Sequence, residues 1–284
     1  MILVTGATGN IGKELVAQLL AEKGQQLRVV SRDERKLLNL DPDVERLIGD
    51  LREQTTVERA VTGVDRLFLV WSLVDESHDA DRMLIDEAQR AGVRHVVAIS
   101  SLATSLAADR GIGALHREKE RFIESSGMSW TFLRPGAFMS NALQWIGTIK
   151  SQGKVFSPTG DGQTAPISPY DIAAVAAVAL TAPGHEFQIY ELTGSELLSA
   201  HEQVKILARV LGKPIECVDV PSSVAAEGMR KAGLPAFVVD SLAEFWEDAR
   251  RGGRVIKTDT VKRLTGREPQ TFETWCREHR ATFL

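Results

Sequence analysis

Short apolar runs alternate with amphipathic stretches through the first half of the chain. Residues 2–4 (ILV) form the first run. After a small-residue turn at 5–9, the stretch NIGKELVAQLLAEKG sets Ile11, Leu15, Val16, Leu19 and Leu20 at helical spacing. Further apolar runs at 27–31 (LRVVS), 44–48 (VERLI), 64–71 (VDRLFLVW), 95–100 (HVVAIS) and 130–134 (WTFLR) read as strands. The 64–71 run is nearly all apolar, as a parallel strand covered on both faces requires. Helices are expected at 33–40 (DERKLLNL), 53–62, 83–91 and 115–125. Strands alternating with helices predict an α/β fold, a doubly wound parallel sheet with helices on both faces. Beyond Pro135 the pattern changes. Helical segments dominate at 137–150, 169–181, 199–211, 221–232, 235–249 and 270–282, with short strands near 154–157, 187–192 and 215–219. The expected organisation is a dinucleotide-binding domain over 1–150 and a smaller mixed C-terminal substrate region over 151–284, with part of 151–195 returning to the first.

The turn between the first strand and helix, GATGNIG, is the strongest chemical signal. Gly6 permits the turn, Gly9 lets backbone approach a pyrophosphate, and Gly12 lets the helix pack closely on the strand. Thr8, Asn10 and Ile11 complete the candidate phosphate site, where the helix N-terminus offers free N–H groups and a positive dipole end. The second strand ends on Ser31-Arg32-Asp33, with Lys36 one turn on. Arg32 and Lys36 suit a 2′-phosphate and favour NADP(H) over NAD(H), while Asp33 reads as the cap of the following helix. Other strand ends supply the remaining candidate cofactor contacts: Asp50 and Leu51, Trp71 and Ser72, Ser100, and Pro135 with Phe138. Asp50 and Ser100 serve equally well as turn or helix caps.

Composition narrows the partners. A net charge of −4 over 284 residues, with no basic run, argues against a nucleic-acid face. The apolar runs are too short to span a membrane, and the N-terminus enters a core strand at once, unlike a signal peptide. Cys217 and Cys276 lack metal or redox spacing and read as free thiols. His78, His95, His185, His201 and His279 are scattered without ligand spacing, so no metal is expected. The expectation is a cytoplasmic protein, monomer or homodimer, that binds a small-molecule substrate.

Several separated motifs resemble the NmrA-like branch of atypical short-chain dehydrogenases: GATGNIG at 6–12, VVSR at 29–32, GDL at 49–51, SGMSWTFLRPGAFMSN at 126–141 and YDIAAVAAVALTAPGHEFQIYELTG at 170–194. The likeness spans nearly the whole chain and is closest to the bacterial NADPH quinone, azo-dye and triphenylmethane reductases. It implies a Rossmann fold with a small C-terminal region, NADPH binding without a metal, and hydride transfer to an electron-poor acceptor. The same family includes NADP-sensing regulators, and the fold also serves isomerases and cyclases, so those readings stay open. The usual Tyr-xxx-Lys relay is absent: Tyr170 and Tyr190 are the only tyrosines, and neither has lysine four places on. The resemblance sets Ile112 and His116 at the relay positions, which makes His116 the candidate acid or hydrogen-bond donor. Its neighbours in HREKER, Lys119 among them, read mainly as a solvated charged face. Trp71, Phe138, Met139, Asn141, Trp145, Phe245 and Trp246 are candidate pocket walls or plain core.

Overall fold

The chain is described here by a computed structural model covering residues 1–22, 24–71, 78–107, 109–253 and 255–284. The apolar runs fold as β1 (Ile2–Val4), β2 (Leu27–Ser31), β3 (Glu45–Ile48), β4 (Arg66–Leu69), β5 (His95–Ile99) and β6 (Ser129–Pro135). They pair in parallel in the order β3-β2-β1-β4-β5-β6. A seventh strand, β9 (Gln188–Leu192), closes the sheet against β6, also in parallel. The C-terminal half therefore completes the sheet begun by the N-terminal half.

Helices cover both faces. On one side lie α1 (Asn10–Ala21), α7 (Pro169–Thr181) and α11 (Thr260–Thr265), whose Leu15, Leu19, Ile172, Leu180 and Val261 join one buried cluster. On the other lie α2 (Gln54–Val61), α3 (Asp79–Arg90) and α5 (Gly111–Ser125), contributing Val57, Leu84, Ile85 and Ile123 to a second cluster. Coverage on both faces explains why β5 is buried along its whole length. A third core joins α6 (Ile146–Gln152), β7 (Lys154–Ser157), α8 (Ala200–Leu211), α12 (Phe272–Glu278) and α13 (Arg280–Phe283). A fourth lies inside the helical hairpin of α9 (Ser222–Lys231) and α10 (Ala236–Arg250).

Some elements differ from expectation. The segment at 33–40 makes only a 3-10 turn, Glu34–Leu37. Pro42 follows closely and disfavours helix before it. The 137–150 helix is instead a 3-10 segment, Met139–Trp145, leading into α6. The helix expected at 270–282 breaks at His279 into α12 and α13. Among the described residues four short elements carried no periodic signal: α4 (Ala103–Leu106), α11 and the two-residue strands β8 (Gln163–Thr164) and β10 (Leu198–Ser199), which pair antiparallel. Between β7 and its parallel partner β11 (Glu216–Asp219) runs a separate two-stranded sheet. Among the described residues no helix is long and apolar enough to cross a membrane.

Candidate functional site

The chain order reverses between β1 and β4, so a crevice opens beyond their C-terminal ends, the position where open α/β sheets take ligands. Thr5 fastens its floor. Its hydroxyl donates to the Phe68 carbonyl at 3.1 Å and accepts from the Val70 N–H at 3.0 Å. Gly6 then turns at φ +62°, a left-handed conformation, and its carbonyl accepts from Gly9 N–H at 2.9 Å. A Cβ on Gly12 would lie 2.2 Å from that carbonyl, so no other residue fits. Gly6, Thr8, Gly9 and Asn10 are exposed, while Ile11 and Gly12 are buried, which leaves Ile11 only its backbone to offer. No side chain caps α1 and no acid occupies its first turn. This glycine cradle and open helix start fit a dinucleotide phosphate.

A cleft of about 590 Å³ extends from the crevice past Thr5, Arg32, Asp50, Leu51, Val70 and Asp81. Arg32 is exposed at its edge. Asp33 is turned away, its carboxylate accepting from Arg35 N, Nε and Nη2 at 3.0–3.1 Å. Those bonds hold the Asp33 carboxyl below its usual range, with a smaller contribution from the charge of the exposed Lys36. Asp50 does not cap α2. Arg52 grips it through Nε and Nη2 and holds its carboxyl down to about 2, with Arg32 adding a little.

The other strand ends converge on α5. Trp71 is buried, and its indole nitrogen has no hydrogen-bond partner among the described residues. Ser72 lies outside the described residues. Ser100 Oγ donates to Glu120 Oε1 at 2.6 Å, and Arg134 clasps the same carboxylate through Nε at 2.9 Å and Nη2 at 2.7 Å. Pro135 accepts from Leu102 N–H at 2.9 Å, and the half-buried Phe138 follows, bracketed by the Ile167–Ala137 and Met139–Ile167 backbone bonds.

His116 faces inward from α5 and is buried, its Nδ1 unpartnered among the described residues. Burial, reinforced by the charge of Lys119, pushes its pKa down to about 4, so the imidazole is neutral near pH 7. The expectation that Lys119 belongs to a solvated face is overturned. Its side chain is fully buried, with Nζ 2.7 Å from Asp81 on α3 and 5.3 Å from the centre of the Trp71 ring. Glu120 is buried as well. Gly113, His116, Glu120 and Ile123 make an inward stripe at three- and four-residue spacing, a signal that the charged letters around them obscured.

Among the candidate walls, Met139 and Trp145 pack into the C-terminal core and Trp246 into the α9–α10 core, whereas Asn141 and Phe245 are exposed. Among the described residues no cluster of His, Cys, Asp or Glu could hold a metal ion.

A parallel sheet with a glycine phosphate cradle at its reversal point defines a nucleotide-binding α/β protein. Residues 6–183 match the family described as NAD(P)H-binding, and the chain belongs to that family. It is 37% identical over 284 residues to the NAD(P)H azoreductase of Xenophilus azovorans, covering 100% of this chain and 99% of that one. It is 38% identical, with the same coverage, to a (4-alkanoyl-5-oxo-2,5-dihydrofuran-3-yl)methyl phosphate reductase of Streptomyces griseus. The structure of an NADPH-dependent quinone oxidoreductase from Escherichia coli, solved with NADPH, superposes with a TM-score of 0.84 at 27% identity over 98% of this chain and 99% of that one.

Proposed function

We propose that this chain is an NADPH-dependent reductase that reduces small, planar, electron-poor acceptors such as quinones, azo compounds and conjugated carbonyls. The glycine cradle at the start of α1, built on a close approach of helix to turn that only glycine allows at Gly12, carries this reading. It is supported by the reductase names of relatives that align end to end. Gly6 to Gly12 would hold the pyrophosphate, Arg32 and Lys36 the 2′-phosphate, and Asp50, Leu51 and Trp71 the adenosine side. Ser100, Pro135 and Phe138 would flank the nicotinamide. When bound, NADPH supplies the hydride.

The chain's own residues then orient the acceptor and keep water away. Neutral His116 donates a hydrogen bond to an acceptor heteroatom and does not deliver a proton from an imidazolium. Acceptors of this class stabilise added electron density themselves, so a Tyr-xxx-Lys relay is dispensable. The C-terminal helices, α9 and α10 above all, form the substrate-side wall. We place the activity in the cytoplasm, in a monomer or homodimer. The decisive experiment follows loss of NADPH absorbance with a panel of quinones, azo dyes and conjugated carbonyls. Micromolar NADPH binding without turnover on any of them would replace this reading with that of a nucleotide sensor.

A further inference from the structure

One side-chain arrangement occurs twice at the adenosine side of the cleft. After β2 the chain reads Asp33-Glu34-Arg35, and after β3 it reads Asp50-Leu51-Arg52. In each, the aspartate accepts from the backbone N–H and the guanidinium of the arginine two places on. Asp50 is the more fully engaged. Its Oδ1 accepts from Arg52 N at 3.0 Å and Nε at 3.1 Å, and its Oδ2 accepts from Arg52 Nε at 3.0 Å and Nη2 at 2.5 Å. A carboxylate offers about four lone-pair positions, so one arginine takes them up. This pair is built into the cleft wall. Gly49 N–H donates to the Ser31 carbonyl at 3.1 Å, which carries the β2–β3 ladder up to Asp50. A Cβ on Gly49 would lie 2.5 Å from Thr56 Cγ2, so α2 packs closely on this strand end. Arg32, Asp50 and Arg52 all line the cleft.

We propose, on the reading of this cleft as the NADPH site, that the Asp50–Arg52 clamp withdraws the carboxylate from base recognition, so that the cleft takes dinucleotide phosphates without reading the group at position 6 of the purine. Arg52 is then the residue that sets base selectivity. A free carboxylate only accepts hydrogen bonds. It would favour adenine, whose 6-amino group donates, and repel a 6-oxo purine, whose oxygen also accepts. Clamped, it does neither. The Asp33–Arg35 clamp has a different consequence. It keeps a carboxylate from the ribose 2′ position, where a free acid would bind the 2′-OH of NADH and repel the 2′-phosphate of NADPH.

The test is calorimetry of the full chain with NADPH and with its 6-oxo analogue, the hypoxanthine dinucleotide phosphate. Wild type should bind the two within about twofold of each other. Arg52→Ala frees Asp50 and should favour NADPH over the analogue by at least about fivefold. Arg35→Ala should leave that ratio near unity and instead lower the preference for NADPH over NADH by about threefold. The carboxyl carbon resonance of Asp50, assigned with Asp50→Asn, reports on the clamp without any nucleotide. It should show the group ionised down to about pH 2 in wild type and titrating near 3.8 in Arg52→Ala. A wild-type preference for adenine above about twofold, or an unchanged ratio in Arg52→Ala, overturns the proposal. A wild-type Asp50 that titrates near 3.8 overturns it as well. If neither dinucleotide binds, the cofactor reading falls and takes the proposal with it, while an Asp50 titration near 2 still separates that failure from a failure of the clamp.

Discussion

At His116 burial and a neighbouring ammonium act in the same direction, and the consequence is measurable in two ways. An unfolded histidine titrates near 6.5, whereas this one resists protonation until about pH 4. Between those values the unfolded chain binds the extra proton and the folded chain does not. The stability this protects is whole above about pH 6.5, and it is lost as pH falls toward 4, by about 3 kcal/mol in all. Urea unfolding near neutral pH and near pH 4.5 should show wild type losing about 2 kcal/mol more than His116→Gln; equal losses would contradict the burial argument. In catalysis, His116→Ala should cost about 10²–10³-fold in turnover with a poor acceptor and far less with a quinone. The wild-type rate should show no His116 inflection between about pH 5 and 8. Arg32 is the complementary case, an exposed charge at the cleft edge while Asp33 is occupied by Arg35. Calorimetry should give at least about a tenfold preference for NADPH over NADH, lost in Arg32→Ala; a preference unchanged in that variant would move the role to Lys36.

Helix α5 shows what a residue-by-residue reading sees and what it misses. Its end at Ser125 follows from sequence, as does the glycine cradle, because local pattern and turn chemistry decide those, whereas its first turn, from Gly111, precedes the expected start at 115. The Ser168 hydroxyl caps α7 by accepting from the Asp171 N–H. What escaped was pairing across elements: Glu120 with Arg134 and Ser100, and Lys119 with Asp81. In HREKER these charges look solvated, and only the packing of α5 on α3 and β6 makes two of them interior. The Glu120 clasp ties α5 to the ends of β5 and β6, where Ser100 and Pro135 sit. Glu120→Ala leaves Arg134 with a buried charge and no carboxylate, and should destabilise the fold by about 3–5 kcal/mol in denaturant titration. The loss should be far larger than for truncating an exposed pair such as Arg230–Asp240.

Across the whole molecule the six N-terminal strands were legible and the return of part of 151–195 was expected, but the place of the seventh strand was not. The run at 187–192 reads as a strand but does not announce its neighbour, and β9 lies beside β6 because α7 crosses back over the sheet onto α1. The α9–α10 hairpin is the reverse case. Its small core of Ala226, Val239 and Trp246 is its own, and it meets the sheet domain at the start of α5. There Ile112 N–H donates to Ser241 Oγ at 3.1 Å. Gly111 stands at φ +54°, and a Cβ on it would come 2.3 Å from the same hydroxyl. Gly111→Ala must therefore strain the backbone and push α10 away from α5, at a cost of about 1–3 kcal/mol. If α10 walls the substrate side, the acceptor loses its seat while the cleft built by β1 to β4 does not move. The expected result is a drop of about tenfold in kcat/KM for the acceptor, with NADPH affinity within about twofold of wild type. Adding Ser241→Ala removes the closest contact but leaves the residue 241 Cβ at 3.0 Å and the strained φ, so activity should recover only in part. NADPH affinity falling in step with activity would mean that the hairpin and the cofactor cleft are one structural unit.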